Sequence, residues 1–152
     1  MTRPMPANDA IHVWTDGSCQ PNPGKGGWAV IMQMPDGSER DLSGSEANTT
    51  NNRMELIAAI QALEALPEGC SVVIHTDSQY VSEGITKWLP SWQRSGWRKS
   101  DGKPVLNANL WARLIEAESR RRVEWRWVRG HADAEMNVRA DALANAAREG
   151  LS

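Results

Sequence analysis

The sequence predicts an α/β domain built on one mixed five-stranded sheet flanked by helices. Three observations predict it. Strand-period runs come first and lie close together, as hairpins do. Helical patterns then alternate with two further strands, as parallel crossovers require. The 152 residues are 40% apolar and 24% charged, the size and balance of one globular domain with a sizeable core.

The elements follow in order. Ile11, Val13 and Thr15 alternate with His12, Trp14 and Asp16, the period of a strand. Pro21-Asn22-Pro23-Gly24-Lys25-Gly26-Gly27 reads as a turn or loop, and Trp28 to Met32 as a second strand. Pro35-Asp36-Gly37-Ser38 makes a hairpin turn into a weaker third strand, Arg40 to Gly44. Thr49 and Thr50 offer N-caps for a helix from about Asn52 to Leu66, which Pro67 and Gly69 end. Val72, Val73 and Ile74 form the apolar run of a buried strand that ends at Asp77. Ser78 to Ile85 reads as a short helix. Trp88 to Pro104 is dense in Trp, Arg and Lys, and Trp88, Trp92 and Trp97 lie at spacings of four and five, compatible with one helical face. Asn109 to Arg120 is a helix, Val123 to Val128 an alternating strand, Gly130 to Glu135 a loop, and Asn137 to Arg148 an Ala-rich helix. The expected organisation is a flexible lead over 1–10, one domain over 11–148 and a tail over 149–152.

Composition excludes several classes. Mean hydropathy is −0.55, and no run approaches the ~20 apolar residues of a membrane span. Met1 to Ala10 lacks the apolar stretch of a secretory signal. Cys19 and Cys70 sit in no metal-ligand spacing, so two reduced thiols in a cytoplasmic protein are expected. The net charge of −2 hides an asymmetry. Lys87 to Arg129 holds 11 Lys and Arg against four acids, a balance of +7 on a body that carries −9. Such a segment can bind a polyanion while a separate acidic cluster binds metal. A solvated charged face is the other reading of the same charges.

Four carboxylates have neighbours that do not suit solvated acids. Asp16 ends an apolar strand and Asp77 the most apolar one. Glu55 shares a helix stripe with Ala58, Ala59 and Ala62. Asp141 lies between Ala140 and Ala142, one turn after Asn137. Burying a lone carboxylate is costly, whereas a cluster is tolerable where cations neutralise it. Sites of open α/β sheets gather at strand ends, and oxygen-only ligands suit Mg²⁺ or Mn²⁺. Two such ions can activate a water and stabilise the leaving oxygen of a phosphodiester. Taken singly, each acid also reads as a cap or a surface charge. His131, in the loop before the last helix, can reach the same end of the sheet and shuttle a proton.

Thr15-Asp16-Gly17-Ser18, Thr50-Asn51-Asn52-Arg53-Met54-Glu55, Thr76-Asp77-Ser78-Gln79-Tyr80 and Gly130-His131 through Asp141, in this order, resemble the motifs of ribonuclease H, most nearly those of the bacterial type 1 enzymes. The resemblance runs from about residue 11 to 148. It implies the ribonuclease H-like fold with a basic handle at about 86–106. It implies an endonuclease that hydrolyses the RNA strand of RNA–DNA hybrids by a two-metal-ion mechanism and leaves 5′-phosphomonoesters. Asp16, Glu55, Asp77 and Asp141 would bind Mg²⁺, with Mn²⁺ as a substitute, and His131 would assist proton transfer or product release. Asn137 would hold the scissile region or the attacking water. Asn22, Asn51, Asn52 and Gln79 would contact the hybrid in its minor groove, and Thr50 a DNA phosphate. Amides can both donate to and accept from base edges and 2′-hydroxyls, and the 2′-hydroxyl separates RNA from DNA. A monomer acting on the hybrid, with no membrane partner, is expected.

In the handle, Trp88 reads as packing, Trp92 and Trp97 as packing or as the lining of the DNA-strand channel, and Arg94, Arg98, Lys99 and Lys103 as phosphate contacts. Trp14, Trp28, Trp111, Trp125 and Trp127 read as core. The sequence departs from the family pattern at Ala132-Asp133-Ala134, where a glycine is frequent, and at Val138, where a glutamate is. Asp101 and Leu106 stand in a region that is often more basic. The competing readings are another nuclease of the same fold, a non-catalytic hybrid-binding module and a structural protein. The first lacks the asparagine set and the handle. The second would have lost a carboxylate, and the third leaves four acids unexplained.

Overall fold

The computed structural model describes residues 10–99, 101–127 and 134–150. Three antiparallel strands come first: β1 (Ile11–Cys19), β2 (Gly24–Gln33) and β3 (Glu39–Thr49). The second hairpin closes as expected, with Asp36 Oδ1 accepting from the Ser38 N–H and hydroxyl and Gly37 at a φ of 89°. Helix α1 (Asn51–Glu64) starts at Thr50, whose side chain accepts from the Arg53 N–H at 3.1 Å. Strand β4 (Ser71–Thr76) and strand β5 (Arg122–Trp127) each run parallel to the neighbour that precedes them in the sheet order β3-β2-β1-β4-β5. Between them lie α2 (Gln79–Glu83), a π-helical turn (Gly84–Trp88), α3 (Leu89–Arg94) and α4 (Ala108–Ser119). Helix α5 (Ala134–Glu149) closes the chain. The mixed five-stranded sheet that the sequence predicts is present.

The two faces of the sheet are covered differently. Leu56, Ile60 and Leu63 of α1 pack on Ile11, Val13, Val72 and Ile74, and Trp111 and Leu114 of α4 close that layer from outside. Helix α1 is therefore apolar on the sheet side and on the α4 side at once. On the other face α5 lays Met136 and Ala140 over Trp14 and Ile31. No helix among the described residues is long and apolar enough to cross a membrane.

Three sequence readings need correction. Gly24 to Gly27 is not a loop but the start of β2. Glycine stands there because neighbours leave no room: a Cβ on Gly27 would collide with the Ala144 carbonyl oxygen of α5. The strand read as ending at Asp16 runs on through Gly17 and Ser18 to Cys19, with Asp16 opposite Ala29 of β2. The tryptophan-dense segment contains a helix, α3, in keeping with the spacing of its tryptophans, and Pro90 falls in its first turn, where no N–H is needed. Trp127 is not core. It is 39% exposed at the end of β5, with its Nε1 donating to the Asp77 carbonyl oxygen at 3.4 Å.

Beyond α3 the handle folds back on itself. The Trp97 N–H donates to Trp92 O at 2.7 Å, and Trp97 O accepts from the Val105 N–H at 2.9 Å. Tyr80, Trp88, Trp92 and Trp111 form one aromatic cluster, in which Tyr80 Oη accepts from Trp111 Nε1 and Asn107 Nδ2.

Candidate active site

Adjacent parallel strands bring Asp16 and Asp77 together. β1 and β4 pair in register from Ile11–Val72 to Trp14–His75, so Asp16 and Asp77 emerge at the same end of the sheet. Glu55 joins them from α1. This approach depends on Gly17, because a Cβ there would lie 2.7 Å from the Glu55 nitrogen and 2.8 Å from the Met54 carbonyl carbon. With no side chain in the way, the first turn of α1 rests on the β1 backbone. The Gly17 N–H then donates to both the Asp16 and Glu55 carboxylates.

Asp16, Glu55 and Asp77 each offer a carboxylate oxygen, and these oxygens lie within 4.8 Å of one another. Their exposure is graded: Glu55 is buried, Asp16 half-buried and Asp77 exposed. Asp141, on the exposed side of α5, stands outside this trio but shares a hydrogen bond with Asp16. Burial, then the charges of Asp77 and Asp141, push Asp16 up from its ordinary 3.8 to about 8. Burial, then Asp16 and Asp77, hold Glu55 well above the usual carboxylate range. Asp77, though exposed as a residue, is raised as well, first because its carboxylate is partly withdrawn from water and then by the charge of Asp141.

A divalent cation fits this arrangement. Glu55 Oε2 is buried and has no hydrogen-bond partner, a costly state that an electrostatic partner relieves. The donors are all carboxylate oxygens, the ligands of hard cations. A cation would also reverse the repulsion that raises all three acids.

The remaining site residues divide. Asn22 and Asn51 lie side by side, since Asn22 Oδ1 accepts from the Asn51 N–H at 3.1 Å. Asn52 is exposed on the first turn of α1, and Thr50 caps that helix. Gln79 is exposed at the start of α2, two residues beyond Asp77. Asn137 is half-buried on α5, one turn before Asp141. Around the handle, a groove of about 600 Å³ is lined by Tyr80, Lys87, Trp88, Ser91, Trp92 and Lys99. Trp97 packs against the main core, while Arg94 is exposed at the end of α3. Arg98 turns its guanidinium onto the Gly102 carbonyl oxygen at 3.0 Å, which bends the handle's own loop. His131, with Ala132 and Asp133, lies outside the described residues.

Two features escaped sequence reasoning. Cys19 Sγ lies 3.3, 3.6 and 3.4 Å from the carbonyl oxygens of Pro21, Gly24 and Thr49, and so ties the Asn22 loop to the end of β3. Ser18, Asn145 and Arg148 form a hydrogen-bonded set beside Asp141. The i, i+4 spacing of Asp141 and Asn145 was its only trace in the sequence.

Comparison with known proteins agrees with this geometry. The RNase H family model matches residues 8–149. A ribonuclease H of Granulibacter bethesdensis is 55% identical over 141 residues, covering 93% of each chain. One from a Chelativorans species is 57% identical over 136 residues, covering 90% of this chain and 83% of its own. Among solved structures, LC9-RNase H1, a type 1 RNase H with the type 2 active-site motif, superposes with a TM-score of 0.83 at 35% identity. The match covers 99% of this chain and 76% of that one. Fold, acidic centre and sequence relatives converge: the chain belongs to the ribonuclease H family, on its type 1 branch.

Proposed function

We propose that this protein cuts the RNA strand of RNA–DNA hybrids at the carboxylate cluster, with Asp16, Glu55, Asp77 and Asp141 as metal ligands and Mg²⁺ as the metal. The observation that carries this reading is the convergence of three carboxylate oxygens within 4.8 Å, one of them from the buried Glu55, whose Oε2 has no hydrogen-bond partner. Family membership supports the hydrolytic endoribonuclease activity and its dependence on a divalent metal. When bound, the cations supply an activated water and charge neutralisation at the phosphodiester.

The protein's own groups do the rest. Glu55 and Asp16 hold the deep side of the site and Asp77 and Asp141 its open side, so a backbone can approach from solvent. Asn22, Asn51, Asn52 and Gln79 present amides around that opening and suit 2′-hydroxyls and base edges. With Oδ1 on Asn51, Asn22 has its NH₂ left to donate. Thr50 accepts from Arg53 as a cap and keeps its hydroxyl proton for a phosphate. Trp92 and Lys99, on the handle groove, and Arg94 suit the DNA strand, through ring contact and charge. Arg98 and Trp97 contribute by shaping the handle. His131 keeps the role in proton transfer or product release that the motif resemblance implies, and Asn137 that of holding the scissile region or the attacking water.

The test is a hybrid labelled on its RNA strand, incubated with and without Mg²⁺. The parent protein is expected to cut the hybrid only with Mg²⁺ and to leave duplex DNA intact. Asp16→Asn is expected to abolish cleavage while keeping the parent's circular dichroism spectrum. Full activity of that variant at the same Mg²⁺ concentration would sink the assignment.

A further inference from the structure

Asp141 is the one carboxylate of the four that stands outside the 4.8 Å set, and it is the one with a dedicated hydrogen-bond donor from its own helix. We propose that Ser18, Asn145 and Arg148 form a one-directional positioning relay that sets the orientation of the Asp141 carboxylate for cation binding. The inference rests on the metal-ligand reading of Asp141 given above.

The relay has three bonds. Arg148 Nη1 donates to Ser18 Oγ at 2.6 Å, Ser18 Oγ donates to Asn145 Oδ1 at 2.6 Å, and Asn145 Nδ2 donates to Asp141 Oδ2 at 3.3 Å. Its direction follows from what each group can do. A guanidinium only donates, so it must occupy a lone pair of Ser18. The hydroxyl proton then turns to Asn145 Oδ1. With its oxygen taken, the amide turns its NH₂ toward Asp141. The opposite amide orientation would set an oxygen against the carboxylate and leave the hydroxyl proton facing an NH₂. Arg148 thus dictates, through two intervening side chains, that Asp141 meets a donor.

The anchoring points are firm. Ser18 is 9% exposed and lies on β1 two residues beyond Asp16, which itself shares a hydrogen bond with Asp141. The Arg148 side chain is 16% exposed, and its ion pair with Glu149 is long at 3.4 Å. The Arg148 nitrogen would lie 2.6 Å from a Cβ on Gly27, so this turn of α5 is seated directly on the β2 backbone. The relay therefore reaches Asp141 from the part of α5 that is pressed onto the sheet. Groups that hydrogen-bond a metal-ligating carboxylate commonly change metal affinity or activity when removed, by about 10–100-fold.

The test is calorimetric titration of the full chain with Mn²⁺, without substrate, alongside melting temperatures and hybrid kinetics. Ser18→Ala and Asn145→Leu are each expected to weaken Mn²⁺ binding by about tenfold. The double variant is expected to bind no more weakly than the worse single one, because both cut the same chain. Ser18→Thr keeps the hydroxyl and should restore the parent affinity. Kinetically, kcat should fall at limiting Mg²⁺ with KM for the hybrid unchanged. Parent-like Mn²⁺ affinity in both single variants, with or without a lower melting temperature, would make the set merely structural and overturn the relay. Fully additive losses would overturn it too. Should Ser18→Ala not fold, Asn145→Leu decides alone. A parent chain that binds no Mn²⁺ would remove the metal reading and the relay together. A parent that binds, with variants that bind equally, would remove the relay only.

Discussion

At the scale of single residues, Asp16 concentrates the electrostatics of the site. It adjoins Glu55, Asp77 and Asp141, and burial with the charges of Asp77 and Asp141 lifts it to about 8 against an ordinary 3.8. The folded chain then binds more protons than the unfolded chain between those two values. Stability must therefore fall as pH rises through that interval. The expected outcome, in chelator, is a melting temperature that declines from about pH 4 to about pH 8 and levels off above. The cluster titrates as a unit, so the decline spreads over the whole window. Asp16→Asn should flatten it and leave the metal-free protein as stable as the parent or more so. Saturating Mg²⁺ should also flatten it for the parent, because a cation favours the charged carboxylates. A parent whose melting temperature rises with pH across this window would contradict the geometry.

At the scale of elements, the active end depends on how closely helices approach strands. Gly17 lets α1 rest on β1, and Gly27 lets α5 rest on β2. Both contacts are with backbone, which cannot rotate aside. Gly27→Ala should therefore lower stability by about 1–3 kcal/mol, the usual penalty of overpacking, read as a shift in urea midpoint. It should also depress cleavage beyond its effect on folding, because lifting α5 carries Asp141 away from Asp16. A variant with normal kcat and only a lower midpoint would show that Asp141 does not depend on this seat. Helix α1 is held a second way. Arg53 donates through Nε and Nη2 to both oxygens of Glu46, joining the first turn of α1 to β3 beside the Asn22–Asn51 pair.

At the scale of the whole molecule, the acidic centre lies at the sheet and the handle carries Lys87, Arg94, Arg98, Lys99 and Lys103, whereas Arg113, Arg120 and Arg126 of the basic segment lie on or beside α4 and β5 and pair with Glu64, Glu68, Glu116 and Glu124. Replacing Arg94, Arg98 and Lys99 together by Gln should raise KM for the hybrid. The log–log salt slope should shrink by roughly 0.9 for each phosphate that is no longer neutralised. Arg98 already bonds the Gly102 carbonyl oxygen, so its share should be smaller than those of Arg94 and Lys99. Turnover at saturating hybrid should change far less, since these side chains position the substrate. An unchanged salt slope would mean that the basic face is only solvated.

The order of strands and helices, Asp77 at the end of β4 and the Glu on a helix stripe were legible in the sequence alone, whereas Asp16 stands inside β1 rather than at its end. They depend on local period and on punctuation by Gly, Pro and caps, which neighbours in the chain display directly. The glycine run at Gly24 to Gly27 misled for the same reason: locally it has the composition of a loop, and only its pairing with β1 and β3 makes it a strand. Trp127 misled because alternation assigns a side chain to a face without saying whether anything covers that face at the sheet's end. The grading of the carboxylates from buried Glu55 to exposed Asp77, the seat of α1 on Gly17 and the run of hydrogen bonds from Arg148 to Asp141 were decided by tertiary structure. Each joins residues distant in the chain, and its strength depends on distances and solvent access that only the packed fold sets.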